Sequence, residues 1–351
     1  MADIPATTFT AVMGSVMTAH LRNVRLGEPV EQSYDGTRIL SQLEQDRDRD
    51  VDGGGYIHTQ ISSTTAALGG SYLGDSTINE DAVDEDTMAI TELTFYSEPI
   101  KVWRSDVIKA GGTGGAEERL FRYVENKRKQ AMRRIRVGLE TDITNEAEGT
   151  NDITSMVLSI SPDPTTGVVD GIDRATAGNE YWRNQEKEVG SLSANFEALE
   201  ELSLDCTKGG ESDWDYSLTD KQTYVALKKL SRTYLSINAG SAESILGKRL
   251  VDLGIPVIEF EGKPITWSPR LNGLKDWSAW GGAASGGAIY LMKKTAMCLA
   301  IVPDEEWQIE GPFPLEARDT PQHGTKWHVM WSGQNVWEDP SSCGVAWGVT
   351  P

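Results

Sequence analysis

The sequence predicts an α+β fold that is built around one long helix. Residues 116–148 contain no proline and place apolar side chains three and four positions apart, which is the spacing of one helical face. From residue 254 onward, short apolar or alternating runs broken by glycine and proline indicate strands. The apolar positions of the predicted helix are Leu120, Phe121, Val124, Ala131, Met132, Ile135, Leu139 and Ile143.

The predicted helix is much longer than most. At about 1.5 Å per residue, the segment 116–148 would form a rod of roughly 50 Å, whereas the mean helix has about three turns. Glu117 and Glu118 lie in its first turn, where the helix dipole favours negative charge. Gly149 follows as the expected stop. We therefore interpret this helix as the element against which the others pack.

Six basic residues lie within ten positions of this helix, in a chain with a net charge of −20. This basic cluster consists of Lys127, Arg128, Lys129, Arg133, Arg134 and Arg136. Three interpretations are open: a solvated face, a surface that meets acidic segments of neighbouring copies, and a nucleic-acid site. The acidic balance of the chain disfavours the third, because phosphate binding requires a broad basic surface.

The composition is that of a globular protein with one large or two ordinary domains. The chain has 351 residues, of which 38% are hydrophobic and 25% charged. No run of 18 apolar residues predicts a membrane span, and the N-terminal segment lacks the basic region of a signal peptide. Cys206, Cys298 and Cys343 are odd in number and far apart, which indicates free thiols and synthesis in the cytosol.

The first 50 residues are expected to form an arm with a short helix near residues 11–21. At its end, Asp48, Asp50 and Asp52 precede Gly53 in the order that opens a calcium-binding loop. Thr59 stands where that loop needs a bidentate glutamate. A solvated charged turn is the favoured interpretation, and calcium binding is the alternative.

Residues 53–100 contain no lysine or arginine and are rich in glycine, serine and threonine. Alternation over residues 89–102 predicts strands. We expect a long hairpin that reaches away from the body of the protein, since long loops in compact domains usually act on a partner. A disordered loop is the alternative. The acidic residues of its second half include Glu80, Asp84, Glu85 and Asp86.

The middle of the chain predicts further helices, at residues 199–210, 219–235 and 241–253. Eight of the eleven tryptophans follow, between Trp267 and Trp347. Core packing is the favoured explanation for them. A subunit interface and a sugar-stacking groove are the alternatives.

The sequence offers no recognisable active site. The segment before Lys248 resembles a phosphate-binding loop, but Ala242 and Arg249 replace residues that such a loop requires. His323 and His328 have no cysteine or carboxylate at ligand spacing. We expect a protein without catalysis, cofactor or metal.

Two motifs in the middle of the chain resemble those of a known family. TTGVVDGIDRAT (165–176) and YWRNQ (181–185) resemble signatures of tailed-phage major capsid proteins with the Hong Kong 97-type coat fold. Four later segments are similar to that family in the same order: residues 217–227, 254–269, 289–312 and 328–348. The resemblance covers nearly the whole chain, and the shared order is its most specific feature.

The resemblance implies the Hong Kong 97-type phage capsid architecture. Residues 1–50 would be an N-terminal arm and residues 51–98 an extended loop hairpin that lies over a neighbouring subunit. Residues 99–164 would form a peripheral domain with the spine helix 116–148. Residues 165–305 would form the axial domain, and residues 306–351 would return as strands of the peripheral domain.

The same resemblance implies self-assembly into hexamers and pentamers of an icosahedral head around packaged double-stranded DNA, without sequence-specific binding or a membrane. A portal protein and separate scaffold and decoration proteins are implied as partners, and the virion as the location. The expected intersubunit contacts are Asp173, Arg174, Trp182 and Arg183, together with the acidic hairpin residues Glu80, Asp84, Glu85 and Asp86 and with Lys127, Arg128, Arg133, Arg134 and Arg136 of the basic cluster. Reversal of Arg133 and Arg134 to glutamate is expected to prevent shells.

The sequence departs from the family's type member in one respect. That member joins its subunits through a loop lysine, whereas the first lysine here is Lys101, beyond the loop. We therefore expect no covalent mesh. Two other functions are alternatives: an encapsulin-like shell around an enzyme cargo, and a carbohydrate-active enzyme that uses the C-terminal tryptophans as a binding platform.

Overall fold

The computed structural model describes most of the chain after residue 36. The described residues are 37–45, 49–51, 54–62, 86–103, 116–146, 149, 151–210, 213–233, 258–271, 275, 285–314 and 324–350. The helices expected at residues 11–21 and 241–253 lie outside these ranges, as do Glu80, Asp84 and Glu85. Within the described part of the chain, no helix combines the length and the apolar character that crossing a membrane requires.

Helices and strands are mixed along the chain, which confirms the predicted α+β class. The helices are α1 (Arg38–Gln45), α2 (Ala116–Ile143), α3 (Met156–Ser159), α4 (Phe196–Cys206) and α5 (Lys221–Thr233). The first strands are β1 (Arg49–Asp50), β2 (Tyr56–Ser62), β3 (Asp86–Glu92), β4 (Thr94–Trp103), β5 (Val168–Val169), β6 (Ile172–Asp173) and β7 (Gln185–Glu188). The later strands are β8 (Tyr216–Thr219), β9 (Ile258–Phe260), β10 (Lys263–Trp267), β11 (Gly287–Met292), β12 (Met297–Ile301), β13 (Gln308–Pro314), β14 (Gly324–Trp337) and β15 (Gly344–Val349).

The chain divides into two compact units. The described part of the first unit combines Phe95–Leu139 with Val302–Ser332. The second unit combines Arg38–Thr94, Glu140–Ile301 and Gly333–Pro351. Both units are therefore assembled from segments that are distant in sequence.

The second unit contains a six-stranded sheet with the order β7-β15-β11-β8-β10-β9. Its central strand β11 is buried at every position, as expected for a strand that is covered on both faces. The core beneath α4 and α5 includes Leu202, Leu227, Ile289 and Leu291. Burial of each such side chain contributes about 1.5–3 kcal/mol, so this layer of helices on a sheet is the main stabilising element of the unit.

In the same unit, β1 extends a second set of strands. Arg49 and Asp50 pair in parallel with Ala300 and Ile301 of β12. The middle of the Asp48–Asp52 motif is therefore a strand, where a charged turn was the favoured interpretation. Asp48 and Asp52 themselves lie outside the described residues.

The long helix begins at residue 116 as predicted, but it ends at Ile143 instead of residue 148. Its apolar face is confirmed by the burial of Ala131, Ile135, Leu139 and Ile143. The Ser155 hydroxyl lies 3.2 Å from the carbonyl oxygen of Ile143 and 2.5 Å from that of Asn145. Because these carbonyls are satisfied by a side chain, the helix can stop well before Gly149.

The other described helices are displaced by a few residues from their predicted bounds. The helix expected over 219–235 begins at Lys221, because Thr219 ends β8 and Asp220 is the cap. The Asp220 carboxylate accepts hydrogen bonds from the backbone N–H groups of Gln222 and Thr223, at 2.7 and 3.0 Å. The segment predicted over 199–210 is helical over Phe196–Cys206.

The base of the predicted hairpin is formed. Strands β2 and β3 pair in antiparallel register, from Tyr56 with Glu92 to Ser62 with Asp86. One face buries Ile57, Thr59, Ala89 and Thr91, while the side chains between them point to solvent. The strands predicted over residues 89–102 are β3 and β4, which are separated at Leu93. In the described residues of this segment, a paired ladder replaces the disordered loop that was the alternative.

Candidate functional site

The motif at residues 165–176 forms a tight hairpin. Val168 pairs with Asp173 and Val169 with Ile172, so that Asp170 and Gly171 form a two-residue turn. Both turn residues have positive φ, 48° and 79°. Aspartate followed by glycine is a preferred pair for this geometry, which explains the DG at the centre of the motif.

Two hydrogen bonds that Asp170 accepts anchor the turn. The backbone N–H of Trp337 donates to the Asp170 carboxylate at 2.6 Å. The backbone N–H of Ile90 donates to the Asp170 carbonyl oxygen at 2.9 Å. A side chain on Gly171 would place its Cβ 3.2 Å from the Ile90 carbonyl oxygen. The Asp170 carboxylate and carbonyl group thus hold the hairpin against β14 and β3, and a side chain at Gly171 would make a contact tighter than an ordinary one with β3.

Arg174 is buried and holds three segments together. Its Nη1 donates to the Ser159 carbonyl oxygen at 2.8 Å and to Asn184 Oδ1 at 3.0 Å. Burial lowers the pKa of its guanidinium, while the charge of Asp163 opposes that shift. The hydrogen bond from Thr165 is the main cause that lowers the pKa of Asp163. Arg174 therefore acts as an internal cross-link of the motif.

Trp182 and Arg183 belong to the same structure. Trp182 is 1% exposed, and its indole N–H donates to the Val169 carbonyl oxygen at 3.0 Å. Arg183 Nε donates to the Arg174 carbonyl oxygen at 3.0 Å. The YWRNQ segment thus closes over the hairpin that the first motif forms.

These positions correct part of the sequence interpretation. Arg174 is 2% exposed, and both it and Trp182 are buried inside the subunit, so neither side chain is available to a neighbouring copy. The family resemblance of the two motifs implied intersubunit contacts at both residues, whereas both side chains are packed inside the subunit. Asp173 is exposed and Arg183 is partly exposed, so these two residues are still candidate contacts.

The basic cluster has partners within its own unit. Arg134 Nη1 lies 2.6 Å from Glu98 Oε1 of β4, and the Arg136 guanidinium lies 5.1 Å from the centre of the Trp307 ring. Lys129 is 3.8 Å from Glu125. Arg128 is exposed, while Lys127 and Arg133 are half-buried. The cluster therefore combines intrachain contacts with an exposed positive face.

Of the acidic partners expected for this cluster, only Asp86 falls in the described residues, at the first position of β3. The structure thus leaves the pairing of hairpin and basic cluster as a prediction.

Glu140 is a buried hydrogen-bond acceptor that the sequence pattern did not predict. It is fully buried and accepts the backbone N–H groups of Ile39 and Leu40. The Ser268 hydroxyl donates to the same carboxylate at 3.2 Å. The available signal was a glutamate directly after Leu139 on an otherwise apolar helical face.

The tryptophans and cysteines of the C-terminal half lie mainly inside the protein. Trp331, Trp337 and Trp347 are buried, as core packing predicts, while Trp267, Trp307 and Trp327 are half-buried.

Cys206, Cys298 and Cys343 are free and buried, which confirms the expected free thiols. Burial raises the pKa of Cys343 to about 12.

Among the described residues, no group of three histidine, cysteine, aspartate or glutamate side chains could hold a metal ion.

Comparison with solved structures identifies the fold. No protein-family model matches the sequence, and no curated protein matches it significantly. A chain of the cyanophage A-1(L) capsid is similar with 14% identity and a TM-score of 0.61, over 93% of this chain and 97% of that chain. A capsid chain of a native GTA particle is similar with 12% identity and a TM-score of 0.56, over 94% and 96%.

A third similar structure is an encapsulin complex. The holo-SrpI encapsulin complex of Synechococcus elongatus is similar with 11% identity and a TM-score of 0.54, over 95% of both chains. These structures match almost from end to end. The chain therefore has the Hong Kong 97-type fold that the sequence motifs predicted.

Proposed function

We propose that this chain is a major capsid protein that assembles into an icosahedral shell. The observation that carries the proposal is the extent of the fold: nearly the whole chain corresponds to nearly the whole of a phage capsid chain. The proposed role is structural, and the chemistry it requires is recognition of its own copies.

The hairpin supports a role in assembly. Its described base has one buried face, while Tyr56, Met88 and Ile90 are between 44% and 54% exposed on the other. Exposed apolar side chains on a strand pair are typical of surfaces that become covered by a partner. In the proposed shell, residues 51–98 reach over a neighbouring subunit, and Glu80, Asp84, Glu85 and Asp86 meet its basic cluster.

The proposed subunit follows the family plan. In that plan residues 1–50 are the arm, residues 99–164 and 306–351 the peripheral domain, and residues 165–305 the axial domain that meets its copies in hexamers and pentamers. Two elements depart from the plan: α1 is buried in the second unit, and β15 lies between β7 and β11 in the six-stranded sheet. The shell encloses double-stranded DNA without sequence-specific contacts, because a chain of net charge −20 does not hold phosphate tightly. A portal protein, and separate scaffold and decoration proteins, complete the particle, which assembles in the host cytoplasm.

Purification followed by negative-stain electron microscopy tests this proposal. We expect closed particles or capsomers, and a sedimentation coefficient far above that of a monomer. A stable monomer under all assembly conditions would contradict the proposal.

An encapsulin-like compartment is the second candidate function, favoured by the likeness to the encapsulin complex. The contents of the particle distinguish the two functions. Nucleic-acid absorbance and a unique vertex support the capsid, whereas a co-purifying enzyme inside particles without such a vertex supports the compartment.

A further inference from the structure

Helix α4 exposes a stripe that combines acidic side chains with one apolar residue. Glu197, Glu200, Glu201 and Asp205 are exposed at helical spacing on the side away from the core. Glu201 also forms an ion pair with Lys187 of β7 at 2.6 Å. Leu204 lies among these acids and is 67% exposed. We call these five residues the acidic stripe.

Helix α5 exposes a matching stripe of opposite charge. Lys221, Lys228 and Lys229 are exposed, and Val225 lies among them with 44% exposure. The opposite side of the helix buries Leu227 and Leu230 in the core. We call Lys221, Val225, Lys228 and Lys229 the basic stripe.

The two stripes occupy different places in the same unit. Helix α4 packs on β7 and β15, at one edge of the six-stranded sheet, whereas α5 packs on β11 and β10. A contact between the acidic stripe of one copy and the basic stripe of another therefore uses two different surfaces. Such a heterologous contact leaves one stripe of each copy for the next contact, and it builds a closed ring where the rotation between successive copies returns to the first copy.

We propose that the acidic stripe of one copy docks on the basic stripe of the next copy around each capsomer, with Leu204 and Val225 at the centre of the contact. This inference rests on the proposed function and names the surfaces that would build its rings. The chain needs such a contact, because a net charge of −20 makes copies repel one another. Complementary charges set the register and the direction of the ring.

A charge-swap experiment tests the proposal with the full chain. The acidic-stripe variant replaces Glu197, Glu200 and Asp205 with lysine, which changes the charge of that stripe from −4 to +2. The basic-stripe variant replaces Lys221, Lys228 and Lys229 with glutamate, which changes the charge of that stripe from +3 to −3. Each variant alone is expected to lose at least tenfold in the yield of capsomers, measured by sedimentation velocity. An equimolar mixture is expected to recover hexamers, because the two variants alternate with complementary stripes around an even-numbered ring.

The control for the acidic-stripe variant places two acid-to-lysine reversals elsewhere, against three in the variant. Asp304→Lys with Glu310→Lys alters two exposed acids of the other unit and is expected to assemble like the unmodified chain. Circular dichroism of each variant checks that the subunit is folded.

A crosslinking experiment tests the same contact without changing charge. Leu204→Cys and Val225→Cys chains, mixed and oxidised with diamide, are expected to form covalent dimers that neither chain forms alone. Three outcomes would overturn the inference, provided that the unmodified chain forms shells. They are normal assembly of both charge variants, failure of their mixture to recover hexamers, and absence of the mixed crosslink. If the unmodified chain forms no particles, the proposed function fails as well.

Discussion

The carboxylate of Glu140 accepts the backbone N–H of Leu40 at 2.7 Å, across 100 residues of sequence. Its other oxygen accepts the N–H of Ile39 at 3.1 Å, so that one buried glutamate caps the first turn of α1. A negative charge at a helix N-terminus is stabilising. Helix α1 lies in the segment predicted as the N-terminal arm, and its Ile39, Leu40 and Leu43 are buried in the second unit.

Removal of this cap is expected to destabilise the subunit. Glu140→Ala should lower the free energy of unfolding by about 2–3 kcal/mol, because two buried backbone donors lose a charged acceptor. Urea denaturation of the dissociated subunit measures the change. Glu140→Gln, which keeps one acceptor oxygen, should lose less than the alanine variant. Equal losses in both variants would refute the capping role.

The lowered pKa of the Asp339 carboxyl makes the free energy of unfolding depend on pH in the acid range. Burial would raise the pKa of its carboxyl, but hydrogen bonds from Ser342, Lys208 and Ser341 outweigh burial and hold that pKa below the ordinary value of 3.8. A lowered pKa in the folded state stabilises the protein above the unfolded-state pKa, and the contribution disappears as the pH falls through the folded-state pKa.

The corresponding variant is Asp339→Asn, compared with the unmodified chain by urea unfolding at several pH values. We expect the variant to be less stable at pH 7, and the difference to shrink steadily below pH 3.8. A difference that is constant from pH 7 to the acid end of the range would show that the carboxylate charge plays no part.

The sequence predicted those features that depend on a pattern over a few neighbouring residues, and it did not predict those that depend on contacts between distant residues. The face of α2, the paired base of the hairpin and the strands after residue 254 follow from periodicity over a few residues. The burial of Arg174 does not, because it is set by Ser159 and Asn184, which lie 15 and 10 residues away and form no repeating pattern with it. The same holds for Glu140 and its partners in α1. In the sequence, a buried charged residue looks like a surface residue, because the partners that surround it in the fold are distant along the chain.

The Arg134–Glu98 ion pair allows the role of the basic cluster in assembly to be separated from its role in subunit stability. Exposed ion pairs contribute about 0–1 kcal/mol, so Arg134→Glu should change subunit stability little. If the cluster meets the acidic hairpin of a neighbour, the same variant, together with Arg133→Glu, should abolish shells. The matched control, Glu98→Gln, removes the intrachain partner and should leave assembly intact. Normal shells from the double variant would refute the pairing with the hairpin.

The thiols are expected to be inert in the folded subunit. Cys343 is buried and its pKa is raised to about 12, and burial likewise raises the pKa of Cys206. Since the thiolate is the reactive form, a thiol reagent such as DTNB should label neither residue at pH 8 until the protein is unfolded. Rapid labelling of the native subunit would contradict the burial of these side chains.

Assembled particles should contain no covalent links between subunits. The first lysine of the chain is Lys101, so the extended loop offers no amine for an isopeptide bond. Denaturing electrophoresis of mature particles should therefore give a single monomer band. A ladder of higher bands would contradict this expectation.

Cryo-electron microscopy of the purified, full-length chain under assembly conditions tests the central claim most directly. The account predicts closed icosahedral shells in which this fold forms pentamers and hexamers, with the hairpin of each subunit lying on its neighbour. A discrete monomer, whose hairpin folds back on its own body, would contradict it.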